Sequence, residues 1–334
     1  MFHPRRCPYP SCAFHVEPAC RFFVRKGRYH PQCRSRPVPR FRCRACHRTF
    51  SRQSFRADYR HKKPHLNARF LDLMVRCVGQ RQAAQSLGVA RRTVEHRFRW
   101  LARHARAFHR NRLEVRSLLG PFQLDELETL EANRYQPATA AVLIERTTLF
   151  IVGTATGPLR RKGRLTPLQR RRRAAHEALH GRRPSQSSGA VGRALAALAP
   201  LTAGAPFVLE SDQKPLYRRL GRRLFGARMD WRAHPAWGRR DRANPLFPIN
   251  HTNARLRHFL ARLRRRTWCV SKTLRHLQHH LEIAALWVNY CRGITRRTRT
   301  TPAQALRLVH RPFRLEEVLG WRQDWGRLSP ALPT

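Results

Sequence analysis

Acidic residues are scarce in this chain. Of 334 residues only 19 are Asp or Glu, against 69 Lys or Arg, which leaves a net charge of +50 and an isoelectric point near 11.9. The self-repulsion that this imbalance creates is relieved by a phosphate polymer. Nucleic acid is the expected partner. Lysine is scarce as well: six of the 69 basic residues are Lys and 63 are Arg. G+C-rich codons produce such a bias as readily as selection for forked phosphate contacts does. Long apolar runs are absent, with no stretch of about 18 residues able to span a bilayer. The opening MFHPRRCPYP has no apolar signal core. The expectation is a cytoplasmic, nucleoid-associated protein that does not engage membrane. Hydrophobic content is ordinary at 41%, enough for a substantial core and roughly two or three domains.

The few acids are concentrated. Asp125, Glu126, Glu128 and Glu131 fall together in FQLDELETLE, and Asp212 follows another apolar run in FVLESDQKPLY. Both stretches suit core strands with a carboxylate at the end. Carboxylates gathered inside a positive protein suggest a divalent-metal site within a polyanion-binding surface. Glu126 and Glu128 project to the strand face opposite Asp125 and are expected as salt-bridge partners rather than ligands, with Glu131 a supporting charge.

Nine cysteines in a chain of this length and compartment read as metal ligands plus scattered thiols rather than as a disulfide frame, and six of them lie in the first 46 residues. Two short knuckles, CPYPSC and CRACH, offer Cys7, Cys12, Cys43 and Cys46 as a tetrahedral thiolate shell for a structural zinc ion. Cys20, Cys33, His30 and His47 are alternative ligands.

NARFLDLMVRCVGQRQAAQSLGVARRTVEHRFRWLARHARAF reads as three helices. Phe70, Leu73, Met74 and Cys77 form the inner stripe of the first and Ala83, Ala84 and Leu87 that of the second. Gly88 supplies a turn, and Val94, Phe98 and Leu101 face inward from the third helix. This spacing is that of a helix-turn-helix, with a plain three-helix bundle bearing a solvated basic face as the alternative; a helix-turn-helix sets Arg91, Arg92, Thr93, Glu95 and His96 toward the major groove.

After residue 120 the pattern becomes strand-like. PFQLDELETLE, ATAAVLIERTT and LFIVGTATG suit three antiparallel strands. A basic, partly helical connection over residues 158–193 reads as solvated surface. The helix GRALAALAPL and the strand ending near Asp212 follow it. The expected fold class is α/β: an RNase H-like core preceded by a zinc ribbon and a helix-turn-helix. In such a core the first Asp lies on the first strand and the second at the end of the fourth, beside it. Two such carboxylates hold Mg2+ or Mn2+ for phosphodiester chemistry. Further on, Leu256, Phe259, Leu260 and Leu263 repeat at helical spacing among arginines in NARLRHFLARLRRRTWCVSK. Arg255, Arg262, Arg264, Arg265 and Lys272 give that block a DNA-facing surface. Trp268, Trp287 and Tyr290 are expected in the core, and His276, His279 and His280 on a polar helix face.

In the order of these parts, and especially in the RLRRRTWCVSK block followed by LEIAALWVNY and TTPAQAL, the chain resembles transposases of the IS1 type and their DDE insertion-sequence relatives. The resemblance covers about residues 5 to 310. It implies a ribbon over 1–60, a helix-turn-helix domain over 61–115, a DDE-type core over 116–293 and a tail over 294–334. It also implies double-stranded DNA, transposon ends and target, as substrate, with a homo-oligomer assembled on it. Metal-dependent cleavage at the ends is followed by attack of the freed 3′-hydroxyl on the target. Asp125 and Asp212 take the two aspartate roles. The family's glutamate position falls on Asn250 and a following family asparagine on Asn253. His251, Glu210 and Glu282 stand as alternative third ligands. A non-catalytic DNA-binding protein, either a regulator or an inactivated descendant, is the alternative to the enzyme.

Overall fold

A computed structural model describes residues 2–321 except 33–35, 57, 60, 115–116, 162, 164, 236, 240, 265–267 and 296. The described residues form two compact units, one within 2–71 and 314–321 and the other within 72–313.

The first unit opens with a short helix α1 (Ala13–Val16) and an antiparallel sheet in the order β1 (Phe23–Tyr29), β2 (Val38–Cys43) and β3 (Thr49–Ser51). Phe41 and Phe50 sit opposite each other on β2 and β3. With Phe22 and Phe55 they form a small aromatic core that also takes in Cys7, Cys12 and Cys43. The division between the units falls within α2 (Leu66–Met74), and α11 (Leu315–Gly320) belongs to the first.

The second unit is mixed α/β. It begins with α3 (Gln80–Leu87) and α4 (Arg91–Leu113). Ala83, Ala84 and Leu87 are buried on α3, and Val94, Phe98 and Leu101 on α4. Between them Gly88 takes the left-handed conformation at φ +58°, which glycine adopts without steric cost. Cys77 lies beyond the end of α2 in a left-handed turn at φ +63°, so it does not continue the stripe of that helix.

A five-stranded mixed sheet follows: β4 (Phe122–Glu131), β5 (Asn133–Glu145), β6 (Phe150–Pro158), β7 (Phe207–Asp212) and β8 (Met229–His234). Its order is β6-β5-β4-β7-β8. Strands β4, β5 and β6 form an antiparallel meander, while β7 lies parallel to β4 and β8 parallel to β7. Strand β8, MDWRAH, is a largely exposed edge that sequence patterning does not mark.

Helices α5 (Pro167–His180), α6 (Ser187–Ala196) and α7 (Pro215–Phe225) join β6 to β7 and β7 to β8. Helix α5 buries none of its residues, as expected for the basic connection. Helix α6 lies against β6, where a Cβ at Gly157 would come within 2.7 Å of the Gln186 carbonyl. Beyond the sheet come α8 (Phe247–Phe259), α9 (Leu274–Tyr290) and α10 (Pro302–Ala305). The Asn289 amide on α9 donates to the Ile151 carbonyl and accepts from its N–H, both at 2.9 Å, which ties α9 to β6.

One aromatic and two histidine positions differ from the expected core. Trp287 and Tyr290 are buried, but Trp268 is fully exposed. His279 and His280 do not form a solvated face. They are buried at 5% and 2% exposure with their rings near Phe98 of α4. Packing of α4 over α9 covers a stripe that is polar by composition. Among the described residues no helix is long and apolar enough to cross a membrane.

Candidate functional site

The sheet places two carboxylates side by side. Strands β4 and β7 pair in parallel at Phe122↔Leu209 and Gln123↔Glu210. Two residues further along each strand lie Asp125 and Asp212, at the same level and, by the two-residue alternation, on the same face as that last pair. The β4–β7 ladder stops at Gln123↔Glu210, so both acids stand just past it, where a cleft of about 540 Å3 opens. This is where β4 has an antiparallel neighbour on one side and a parallel one on the other, at the carboxyl end of β7. Open α/β sheets characteristically bind ligands at such switch points.

Helix α8 closes the cleft. Gln123, buried on β4, accepts from the Ile249 N–H at 3.0 Å and donates to the Pro245 carbonyl at 2.7 Å. The first turn of α8 is thereby fixed to the strand that carries Asp125. One turn on, Asn253 donates from Nδ2 to Asp125 Oδ2 at 2.7 Å, while its buried Oδ1 has no partner. Asn250, three residues earlier and on the same helical face, lines the cleft with Asp125 and Asp212. His251 lines it too, with its ring stacked on Phe247 at 5.7 Å and its Nδ1 buried without a partner. Burial pushes the Asp125 carboxyl up to about 6. The Glu126 N–H opposes the rise, the Asp212 and Glu126 charges add to it, and the Asn253 hydrogen bond again opposes it. A carboxylate so placed is stabilised by a cation.

The two carboxylates weighed as alternative third ligands are occupied elsewhere. Glu210 is buried, accepting from Gln123 at 2.8 Å and Arg146 at 2.9 Å. Glu282 on α9 pairs with Arg106 at 2.7 Å. Neither lines the cleft. Glu131 accepts from Arg183 at 2.8 Å and from the Leu274 N–H at the start of α9, also at 2.8 Å.

Glu126 faces the opposite side of the sheet and is the centre of a polar cluster. It accepts from Thr139 at 2.9 Å, Ser187 at 2.7 Å and Tyr217 at 3.1 Å, and it is paired with Lys214. Glu126, expected as a salt-bridge partner, is paired with Lys214, two residues beyond Asp212. The N–H of Lys214 also caps Asp212 Oδ1 at 3.1 Å, so one dipeptide step connects the cluster to the second aspartate. A second opening of about 620 Å3 adjoins both aspartates on this side, with Arg160, Arg161 and Arg219 on its rim.

The arginines assigned to DNA divide. Arg91, Arg92 and His96 are exposed on α4, with Thr93 half-buried; Arg264 and Lys272 are exposed beyond α8. Arg265 lies outside the described residues. Two others are held inward. Arg255 donates to the Gly293 carbonyl at 3.1 Å, and burial pushes its guanidinium down to about 10. Arg262 lies over the Phe98 ring at 5.2 Å and is likewise pushed down to about 10 by burial. Helix α8 ends at Phe259, before Arg262, and the turn that follows redirects that side chain into the fold.

In the first unit Cys7, Cys12, Cys43 and Cys46 bring their sulfurs within 4.8 Å of one another, close enough to hold a metal ion. The Cys7–Cys46 and Cys12–Cys43 separations are both 3.7 Å. Tetrahedral thiolates at zinc bond lengths stand about 3.8 Å apart, so the donor set fits that ion. Burial pushes the Cys7 and Cys43 thiols up, which opposes thiolate formation without a cation among them. Among the described residues the group consists of these four; Cys33 lies outside the described residues.

Neither the protein-family models nor the curated proteins include a match to this chain.

Proposed function

We propose that this chain is a DDE-type DNA transposase that cuts transposon ends and joins them to target DNA. The observation that carries the reading is the level placement of Asp125 and Asp212 on adjacent parallel strands, facing a cleft closed by α8. The strand order, third-second-first-fourth-fifth, is the order expected of an RNase H-like core. Mg2+ or Mn2+ bound at this pair supplies Lewis acidity to a phosphodiester and lowers the pKa of water. Asp125 and Asp212 provide the charge that holds such an ion, and Asn253 fixes the rotamer of Asp125. Asn250 offers an amide oxygen in the family's glutamate position. An amide oxygen is a ligand for a hard cation but contributes no charge.

Cys7, Cys12, Cys43 and Cys46 form a structural zinc ribbon in this reading, and the α3–α4 turn acts as a helix-turn-helix that reads double-stranded DNA. The working species is a homo-oligomer on DNA, associated with the nucleoid. The test is cleavage of candidate terminal repeats by purified protein with Mg2+ or Mn2+, alongside Asp125→Asn. Absence of metal-dependent cutting, with no difference between the two proteins, sinks the enzyme.

The second reading is a DNA-binding descendant that has lost chemistry. Its specific support is that α8 presents two amides, Asn250 and Asn253, toward the aspartates and no carboxylate. It requires specific binding to terminal repeats with no cutting under any divalent ion.

A further inference from the structure

A second concave site lies away from the aspartates, in the seam between α4 and α9, and shares no lining residue with their cleft. Arg99, Arg103 and Arg106 recur along one face of α4, and Arg275 with His279 one turn apart on α9 completes a cavity of about 410 Å3. The four arginines are exposed at its rim. Arg106 is engaged by Glu282 at 2.7 Å. Arg99, Arg103 and Arg275 have no carboxylate within ion-pair distance among the described residues, so three guanidiniums line one hollow without an ion-pair partner. His279 lines the cavity at 5% exposure, and its buried Nδ1 has no hydrogen-bond partner. A stripe of solvated arginines on a convex surface would need no explanation. Here like charges are turned toward one hollow, beside a buried polar group left unpaired, and both costs fall when an anion enters.

We propose that the α4–α9 pocket binds a phosphate group, with Arg99, Arg103 and Arg275 as its charge partners and His279 at its inner wall. Forked guanidiniums suit phosphate oxygens. The phosphate is supplied either by a nucleic-acid backbone or by a free polyphosphate. The site is independent of strand cleavage and stands whether or not the aspartates are catalytic.

The test uses the full chain and two probes, inorganic pyrophosphate and a random-sequence 20-bp duplex, with the paired variant R103Q/R275Q. The charge-matched control is R222Q/R223Q, at exposed positions of α7. Pyrophosphate is expected to raise the Tm of the unaltered protein and of the control, and to leave that of R103Q/R275Q unchanged. Loss of two backbone contacts lowers the slope of log affinity against log salt by about 2. A lower slope in R103Q/R275Q assigns the pocket to a nucleic-acid backbone. Loss of the pyrophosphate response alone assigns it to a free phosphate compound. If neither changes, or if R222Q/R223Q reproduces the change, the proposal is wrong.

Discussion

Asn253 on α8 donates a 2.7 Å hydrogen bond to Asp125 on β4. A neutral amide thus meets the carboxylate that burial has already pushed up to about 6. The contact orients Asp125 without neutralising it, so the repulsion between Asp125 and Asp212 is left for a cation to relieve.

Asp125→Asn is therefore expected to lower metal-dependent strand cleavage at least about a hundredfold, the scale of losing a metal's charge stabilisation. Duplex affinity should stay within about twofold, because phosphate contacts supply it. Asn250→Glu adds a charged ligand on the cleft side of α8 and should raise cleavage with Mg2+. Gel assays of end cleavage at several metal concentrations decide both, and a rate indifferent to either change contradicts the assigned roles.

Lys214 and Glu126 form an ion pair in which the carboxylate side chain is 8% exposed and the ammonium 40%. Lys214→Met leaves Glu126 buried beside Tyr217, Ser187 and Thr139 with no cation, at an expected cost of about 3 kcal/mol. Adding Glu126→Gln should recover part of that loss. Urea unfolding of the single and double variants measures the coupling, and strictly additive effects would show that the pair is not coupled.

Cys43→Ser removes one of four sulfurs from the cluster in the first unit. Bound zinc, measured by metal analysis of purified protein, is expected to fall from about one equivalent to well below half, and a strong chelator should melt the same unit in the unaltered chain. Full zinc occupancy in the variant would move the ligand set elsewhere.

His280 links stability to pH. Burial first, then the Arg262 charge, push it down to about 3, against the hydrogen bond it shares with the Met74 carbonyl at 2.7 Å. The unfolded chain takes up this proton near the ordinary 6.5, whereas the folded chain resists it. Stability is thus full above that value and declines as the pH falls toward about 3. The decline from this one group approaches about 1.4 kcal/mol per pH unit. His109, pushed down to about 4 by burial, acts in the same direction. Denaturant titrations from pH 7 to 4.5 should show a shallower decline in His280→Gln than in the unaltered protein.

The legible parts of the molecule were those written in neighbouring residues. Apolar alternation and flanking turns mark β4, β5 and β6, the spacing around Gly88 marks the α3–α4 turn, and the paired knuckles single out Cys7, Cys12, Cys43 and Cys46, which the fold does gather. The exposed edge β8 carries no such pattern, because half its side chains need not be apolar. The cluster around Glu126 was equally unmarked: Ser187, Lys214 and Tyr217 are 61, 88 and 91 residues away, and nothing in the local composition links them.

Composition alone sets the charge imbalance, and the concentration of acid at 125–131 and the helical and strand periods are legible in the sequence because each is a property of residues within a turn or two. Tertiary structure decided which charges are spent and which are free. It set Asp125 level with Asp212 through parallel strand register, turned Arg255 and Arg262 inward, buried His279 and His280 under α4 and left Trp268 in solvent. Burial is the physical reason. A side chain's charge and partners depend on what the rest of the chain packs over it, and that packing is fixed only when distant elements meet.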